Sequence, residues 1–259
     1  MAAMLFPFSM LASSSAGGLI FALENSTLAG ILVLLALFAA SIFSWTVMYT
    51  KWTQIRRAQL RRLEFLDLFR AERQPLRIFA DRLHFEGAPI FAVYKAGCKE
   101  LTFQLLGSAD VDETFRGRLD VAAKISPAQM RVVTTAMERA VGETALKLES
   151  QMILLATAVS GAPFLGLLGT VWGVMDTFSD VATAGSANLA AMAPGVSAAL
   201  ITTVTGLLVA IPAMFGYNYL VTTIRGMIVE LDNFAAELAS EFEHKFVDHS
   251  DRNRAWAKV

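Results

Sequence analysis

Two long blocks of this chain lack lysine and arginine altogether. Residues 1–50 have none and 151–224 have none, so all 22 basic residues lie in 51–150 and 225–259. A soluble domain averages about 25% charged residues. This 259-residue chain has 17%, and the deficit lies in the basic-free blocks, which long apolar runs fill. Cysteine is nearly absent too. Cys98 stands alone, which excludes an intrachain disulfide or a multi-cysteine metal site and leaves it as a small core residue. There is no Ser/His/Asp set, no metal-ligand cluster and no phosphate-binding glycine loop. His84, His244 and His249 are isolated and outside the apolar runs. An enzyme is therefore not the expected reading. The first positive charge is Lys51, so a secretory signal with its positive n-region is not indicated. Residues 1–23 are apolar but broken by Pro7, Ser13 to Ser15, Gly17 and Gly18. They read as an external segment lying on the membrane.

What remains gives both spans and orientation. Basic residues stay on the cytoplasmic side, because translocating short basic loops is disfavoured. The expected fold is an all-α integral membrane protein with three transmembrane helices. Spans 2 and 3 are expected to extend as long helices into a cytoplasmic helical region. The boundaries are an external segment 1–25, span 1 at 26–50, a cytoplasmic helical loop 51–150, span 2 at 151–179, a periplasmic link 180–195, span 3 at 196–224 and a cytoplasmic helix and tail 225–259. The protein would sit in the lipid bilayer of a bacterial inner membrane, N-terminus periplasmic and C-terminus cytoplasmic. The net charge of −1 conceals 17 basic against 13 acidic residues in 51–150. A positive loop beside an anionic leaflet is membrane topology and not a nucleic-acid footprint.

Local patterns fill in the helices. Leu28 to Phe43 is nearly unbroken apolar sequence, followed by an interfacial belt of Trp45, Tyr49 and Trp52. Leu60, Leu63, Phe65, Leu66 and Phe69 recur at helical spacing between charges. Ser126-Pro127 predicts an N-cap with proline at N1, opening a helix that includes Met130, Val133, Met137 and Val141. No glycine or proline break stops that helix decisively before Pro163, so it is expected to run on into span 2. Beyond Arg225, the pattern Ile228, Leu231, Phe234, Leu238, Phe242 continues span 3 as an amphipathic helix.

Spans 2 and 3 are not lipid-like all round. Span 2 carries a stripe of Pro163, Gly166, Thr170, Gly173 and Thr177. Span 3 carries Ala199, Thr203, Gly206, Ala210 and Ala213, with Pro212 as a kink and, beside Gly166, Gly169, Gly173 and Gly206, a helix-packing residue. Two readings stand side by side. Small residues let membrane helices approach closely, and Gly169-x-x-x-Gly173 is such a motif. A face of hydroxyls also forms a narrow polar lining for an ion path. A proton path needs a titratable group at depth, and the spans offer no basic residue and no acid near the membrane centre. An essential carboxylate would then come from a partner. Asp176, near the outer end of span 2, fits a solvated mouth.

Gly161-Ala-Pro-Phe-Leu-Gly-Leu-Leu-Gly-Thr-Val-Trp-Gly-Val-Met-Asp-Thr-Phe178 closely resembles the second span of the ExbB/TolQ branch of the MotA/TolQ/ExbB proton-channel proteins. Ala193-Pro-Gly-Val-Ser-Ala-Ala-Leu-Ile-Thr-Thr-Val-Thr-Gly-Leu-Leu-Val-Ala-Ile-Pro-Ala213, then Tyr217-Asn218, resembles the third. The strong match covers about 150–220. The resemblance implies a homopentamer around a dimer of a single-span ExbD-like or TolR-like partner, which supplies the transmembrane Asp. It also implies a TonB-like or TolA-like protein beyond that. Protons would be the transported ion, with no cofactor. Thr170 and Thr203 correspond to the family's pore-lining threonines. Many relatives carry a Glu where this chain has Ala198, which cannot titrate. Thr202 and Thr205 are extra hydroxyls that would hold water instead. A membrane scaffold without an ion path is the alternative. The sequence leaves ExbB-type against TolQ-type work, and proton against sodium, open.

Overall fold

The computed structural model describes residues 27–72, 74–112, 114–185 and 188–248. The expected external segment, His249 and the tail after it lie outside them. Among the described residues seven helices follow in order: α1 (Leu28–Ala71), α2 (Arg77–Ala80), α3 (Pro89–Leu106), α4 (Phe115–Val121), α5 (Pro127–Glu149), α6 (Met152–Ala184) and α7 (Leu189–Phe246). No strand occurs among the described residues, only a parallel bridge between Ile125 and Val247. Among the described residues three helical stretches are long and apolar enough to cross a membrane: α1, Pro127–Ala184 and α7. The all-α membrane fold expected from sequence is therefore present.

Contacts divide the chain into two units. The apolar unit comprises the described residues through Thr50 and Gln151–Tyr219. The charged unit comprises Lys51–Ser150 and the residues from Leu220 onward. Two of these dividing points coincide with the edges of the basic-free blocks, and the third lies just before Arg225.

Helix ends follow from local chemistry. Thr27 Oγ1 accepts the Gly30 N–H at 3.3 Å where α1 begins. Ser126 caps α5 in a full capping box with Gln129, and Pro127 fills the first turn, as the sequence predicts. Asn188 Oδ1 accepts the Ala190 N–H at 3.0 Å, starting α7. Because α6 runs to Ala184 and α7 starts at Leu189, the helices continue well into the stretch 180–195 expected as a link. A span ends where lipid ends, but the backbone hydrogen bonds continue. Span 2 does continue the α5 helix, with one local interruption at Ser150–Gln151, where Gln151 takes φ 67°.

In the charged unit, Phe65, Phe69, Phe85, Phe91, Tyr94 and Phe234 form one aromatic cluster, with Phe65–Tyr94 and Phe69–Phe234 centroids each 5.3 Å apart. The Tyr94 hydroxyl donates to Pro75 O at 2.6 Å and accepts the Phe79 N–H at 3.0 Å. This satisfies the one polar tip that the cluster buries. Met130, Val133, Met137 and Val141 are buried, as are Leu231, Phe234, Leu238 and Phe242. Cys98 is fully buried and burial pushes its thiol pKa up, which makes it an inert core residue. The apolar face of α1 differs from expectation in part. Phe65 and Phe69 are buried, but Leu60 and Leu63 are 69% and 51% exposed. The face turned inward is instead Lys51, Ile55, Ala58, Phe65 and Phe69, at steps of three, four and seven.

Candidate functional site

In the apolar unit, α6 and α7 meet along their small residues. A Cβ added at Gly206 would lie 2.6 Å from Ala162 O, and one at Gly166 would lie 2.8 Å from Thr202 O and 2.9 Å from Thr203 Cα. At Gly169 it would meet Thr202 Oγ1 at 2.6 Å, and at Gly173 the Ala199 Cβ at 2.8 Å. Gly195 faces Thr177 in the same way. The partners step backwards along α7 as α6 advances, so the two helices run antiparallel in close register. The glycines are needed because backbone meets backbone here, and no side chain fits between. Beside this seam, Leu37 of α1 packs with Ala162 and Ala210, flanked by Val33, Leu165 and Val209. Further along α1, Met48 lies against Gly216.

Hydroxyls gather at one point of the seam. Three hydroxyls lie within hydrogen-bond reach of Gly166 O, Thr202 Oγ1 at 2.9 Å, Thr203 Oγ1 at 3.0 Å and Thr170 Oγ1 at 3.1 Å, each with one proton to place. Thr170 and Thr203 also share a short hydrogen bond between their hydroxyls, across the two helices. The three threonines differ in burial. Thr202 is fully buried, with its one hydroxyl proton shared between Gly166 O and Ala199 O, the latter 2.7 Å away, whereas Thr170 and Thr203 are half-buried. So the structure brings Thr170, Thr202, Thr203, Gly166, Gly169, Gly173 and Gly206 together. Ala198 is buried one residue from Ala199. Thr205 bonds its own helix at Ile201 O, 2.8 Å away.

Two predicted residues lie apart. Asp176 is half-buried, beside Thr177 at the far end of the seam. Pro212 is exposed between the buried Ala210 and Ala213, inside α7. Within the described part of the apolar unit, Asp176 and Asp180 are the charged residues. Sequence reasoning missed Ala162 and Gly195, which complete the seam. The steps Ala162–Gly166–Gly169–Gly173 would have revealed the first.

The large apolar side chains of these helices point away from the seam: Phe164, Leu167, Leu168, Val171, Trp172 and Met175 on α6 are all exposed. A glycine-and-threonine contact inside, wrapped in bulky apolar residues, is an arrangement built for lipid and for neighbouring helices.

A family model described as the MotA/TolQ/ExbB proton channel family matches residues 108–233. Tol-Pal system protein TolQ of Pseudomonas aeruginosa is 32% identical over 237 residues, covering 88% of this chain and 94% of that protein. The chain belongs to the MotA/TolQ/ExbB proton channel family. Biopolymer transport protein ExbB of Xanthomonas campestris is 44% identical over 110 residues, 42% of this chain and 44% of that protein. The ExbB of Salmonella typhimurium is 30% identical over 207 residues, 80% of this chain and 78% of that protein. Both halves of the ExbB/TolQ branch are thus represented. The family match includes the whole α6–α7 seam and all of α5.

Proposed function

We propose that this chain is an ExbB/TolQ-like subunit of a proton-motive-force-driven motor in the bacterial inner membrane. Five copies surround a single-span ExbD/TolR-like partner, present as a dimer, whose transmembrane Asp titrates. The amino-terminal side is periplasmic and the Lys51–Ser150 region cytoplasmic, following the positive-inside bias of the basic residues. Proton passage energises an outer-membrane or envelope process through a TonB-like or TolA-like protein. No cofactor takes part, and the proton is the transported ion.

The observation that carries this reading is the paired, half-buried Thr170 and Thr203 hydroxyls at the edge of a seam where, among the described residues, Asp176 at the far end is the one charged group. Hydroxyls that both donate and accept pass a proton to a carboxylate but cannot store its charge. One charge crossing 100 mV releases about 2.3 kcal/mol, and allosteric couplings run about 1–3 kcal/mol, so a few protons suffice for a stroke. Asp176 serves as a solvated mouth. Thr202, fully buried with two carbonyls within reach, is read as serving the helix contact. That same commitment of Thr202 is what favours the second reading, a scaffold without an ion path.

Native mass measurement after gentle extraction of a tagged chain separates the two. A pentamer carrying two copies of a single-span protein with an intramembrane Asp supports the motor. Another stoichiometry without such a partner supports the scaffold.

A further inference from the structure

The interruption at Ser150–Gln151 has no sequence cause. Leu148-Glu149-Ser150-Gln151-Met152 contains neither glycine nor proline. Yet Gln151 adopts φ 67°, a left-handed conformation that a side chain disfavours. Something else must hold the break.

Lys51 lies there. Its side chain is 2% exposed, one of the largest fully buried side chains in the protein. Its Nζ donates to Leu148 O at 3.0 Å, to Ser150 Oγ at 3.1 Å and to Lys147 O at 3.4 Å. An ammonium has three N–H donors, and these three acceptors match them. Ser150 Oγ in turn donates to Lys147 O at 2.7 Å, closing the network. Two of the acceptors have another natural partner. In an uninterrupted helix each N–H bonds the carbonyl four residues back. Lys147 O would then take the Gln151 N–H, and Leu148 O the Met152 N–H. Ser150 N–H still bonds Leu146 O at 3.0 Å, and the next turn restarts with Leu154 N–H on Gln151 O at 3.1 Å. The ammonium therefore sits where the missing helical bonds would be.

We propose that Lys51 is a latch that competes for the last carbonyls of α5 and keeps the Pro127–Ala184 stretch broken, so that its withdrawal lets the segment close into continuous helix. This is a two-state conformational device, independent of whether an ion passes α6 and α7. Cations at a helix C-terminus are favoured by the exposed carbonyls, so the latch is strongest while the break persists. A positive-φ glutamine and a buried ammonium each disfavour this state alone; together they support it.

Hydrogen exchange on the full-length protein tests it. Lys51→Met keeps the chain length but removes the donors, so the Gln151 and Met152 amides should gain helical partners and exchange about tenfold more slowly or beyond. Adding Gln151→Gly, which removes the left-handed penalty, should restore fast exchange in the double variant. Unchanged or faster exchange in Lys51→Met would overturn the proposal, as would slow exchange in the double variant. Amine acylation of the unaltered protein needs no variant. Lys51 should react about tenfold or more slowly than Lys245 in the native protein, as exchange-type protection by burial requires, and equal rates would refute the latch.

Discussion

The two units of this protein solve the same packing problem in opposite ways. In the apolar unit, the inside is Gly166, Gly169, Gly173, Ala199, Thr202 and Gly206, and Phe164 and Trp172 face outward. In the charged unit, the inside is Phe65, Tyr94, Phe115 and Phe242, and the buried Lys51 is an exception among charges that otherwise lie largely at the surface. Water drives large apolar side chains into a core. Lipid gives no such drive, so helices there associate by close approach and hydrogen bonding. One chain, alternating between the two media, switches its packing rule at Thr50–Lys51, Ser150–Gln151 and Tyr219–Leu220.

The sharpest way to break this contrast is to add bulk to the seam. Gly206→Leu should prevent stable assembly, because even its Cβ would meet Ala162 O at 2.6 Å, and backbone cannot yield as a side chain does. Gly169→Leu should act in the same direction through Thr202. Native mass after extraction reads both, and a normal oligomer in either variant would show that the seam tolerates bulk. Next comes removal of bulk. Phe65→Ala should cost about 3–5 kcal/mol as a buried aromatic truncation, whereas Phe164→Ala, at 72% exposure, should leave the chain's own folding nearly unchanged. Denaturation in detergent compares them. If the two effects are equal, the units do not follow different rules.

A smaller effect tests the glycines that lie outside any contact. A Cβ at Gly142, within α5, meets nothing within 4 Å. Gly142→Ala should stabilise by about 0.5–1 kcal/mol through helix propensity, the reverse sign of Gly206→Ala. The smallest effect is electrostatic. Burial, with the Glu237 charge adding to it, raises the Glu241 pKa above its ordinary 4.5. A raised carboxyl favours the folded state while protonated and loses that contribution as pH rises through the folded pKa. Glu241→Gln should therefore raise the melting midpoint slightly at neutral pH and leave it unchanged below pH 4.5. A gain of the same size at both pH values would contradict this sign.

Much of the fold is legible in the chain because the medium imprints composition. Lysine and arginine are excluded from the spans, and the Ser126-Pro127 start follows from capping chemistry. The stripes on spans 2 and 3 were legible from spacing, since a helix contact that excludes bulk must repeat every three or four residues. Their mutual register was not, because each stripe is compatible with a contact to its neighbour, to another subunit or to water. Thr202 illustrates the limit. It sits beside Thr203 in sequence, but one step on a helix rotates a side chain by about 100°, from the open edge into the buried contact. Leu60 and Leu63 illustrate another. Periodicity shows that α1 has an apolar face without showing which surface covers it. The break at Gln151 was invisible because its support, Lys51, comes from a distant part of the chain.

Proton flux through the complex reconstituted in vesicles, with its single-span partner present, tests the central claim most directly. The account predicts that Thr170→Val and Thr203→Val each abolish flux driven by a membrane potential while the oligomer mass is unchanged. Flux at the unaltered rate in the Thr170→Val, Thr203→Val double variant would contradict it and leave these hydroxyls as packing alone.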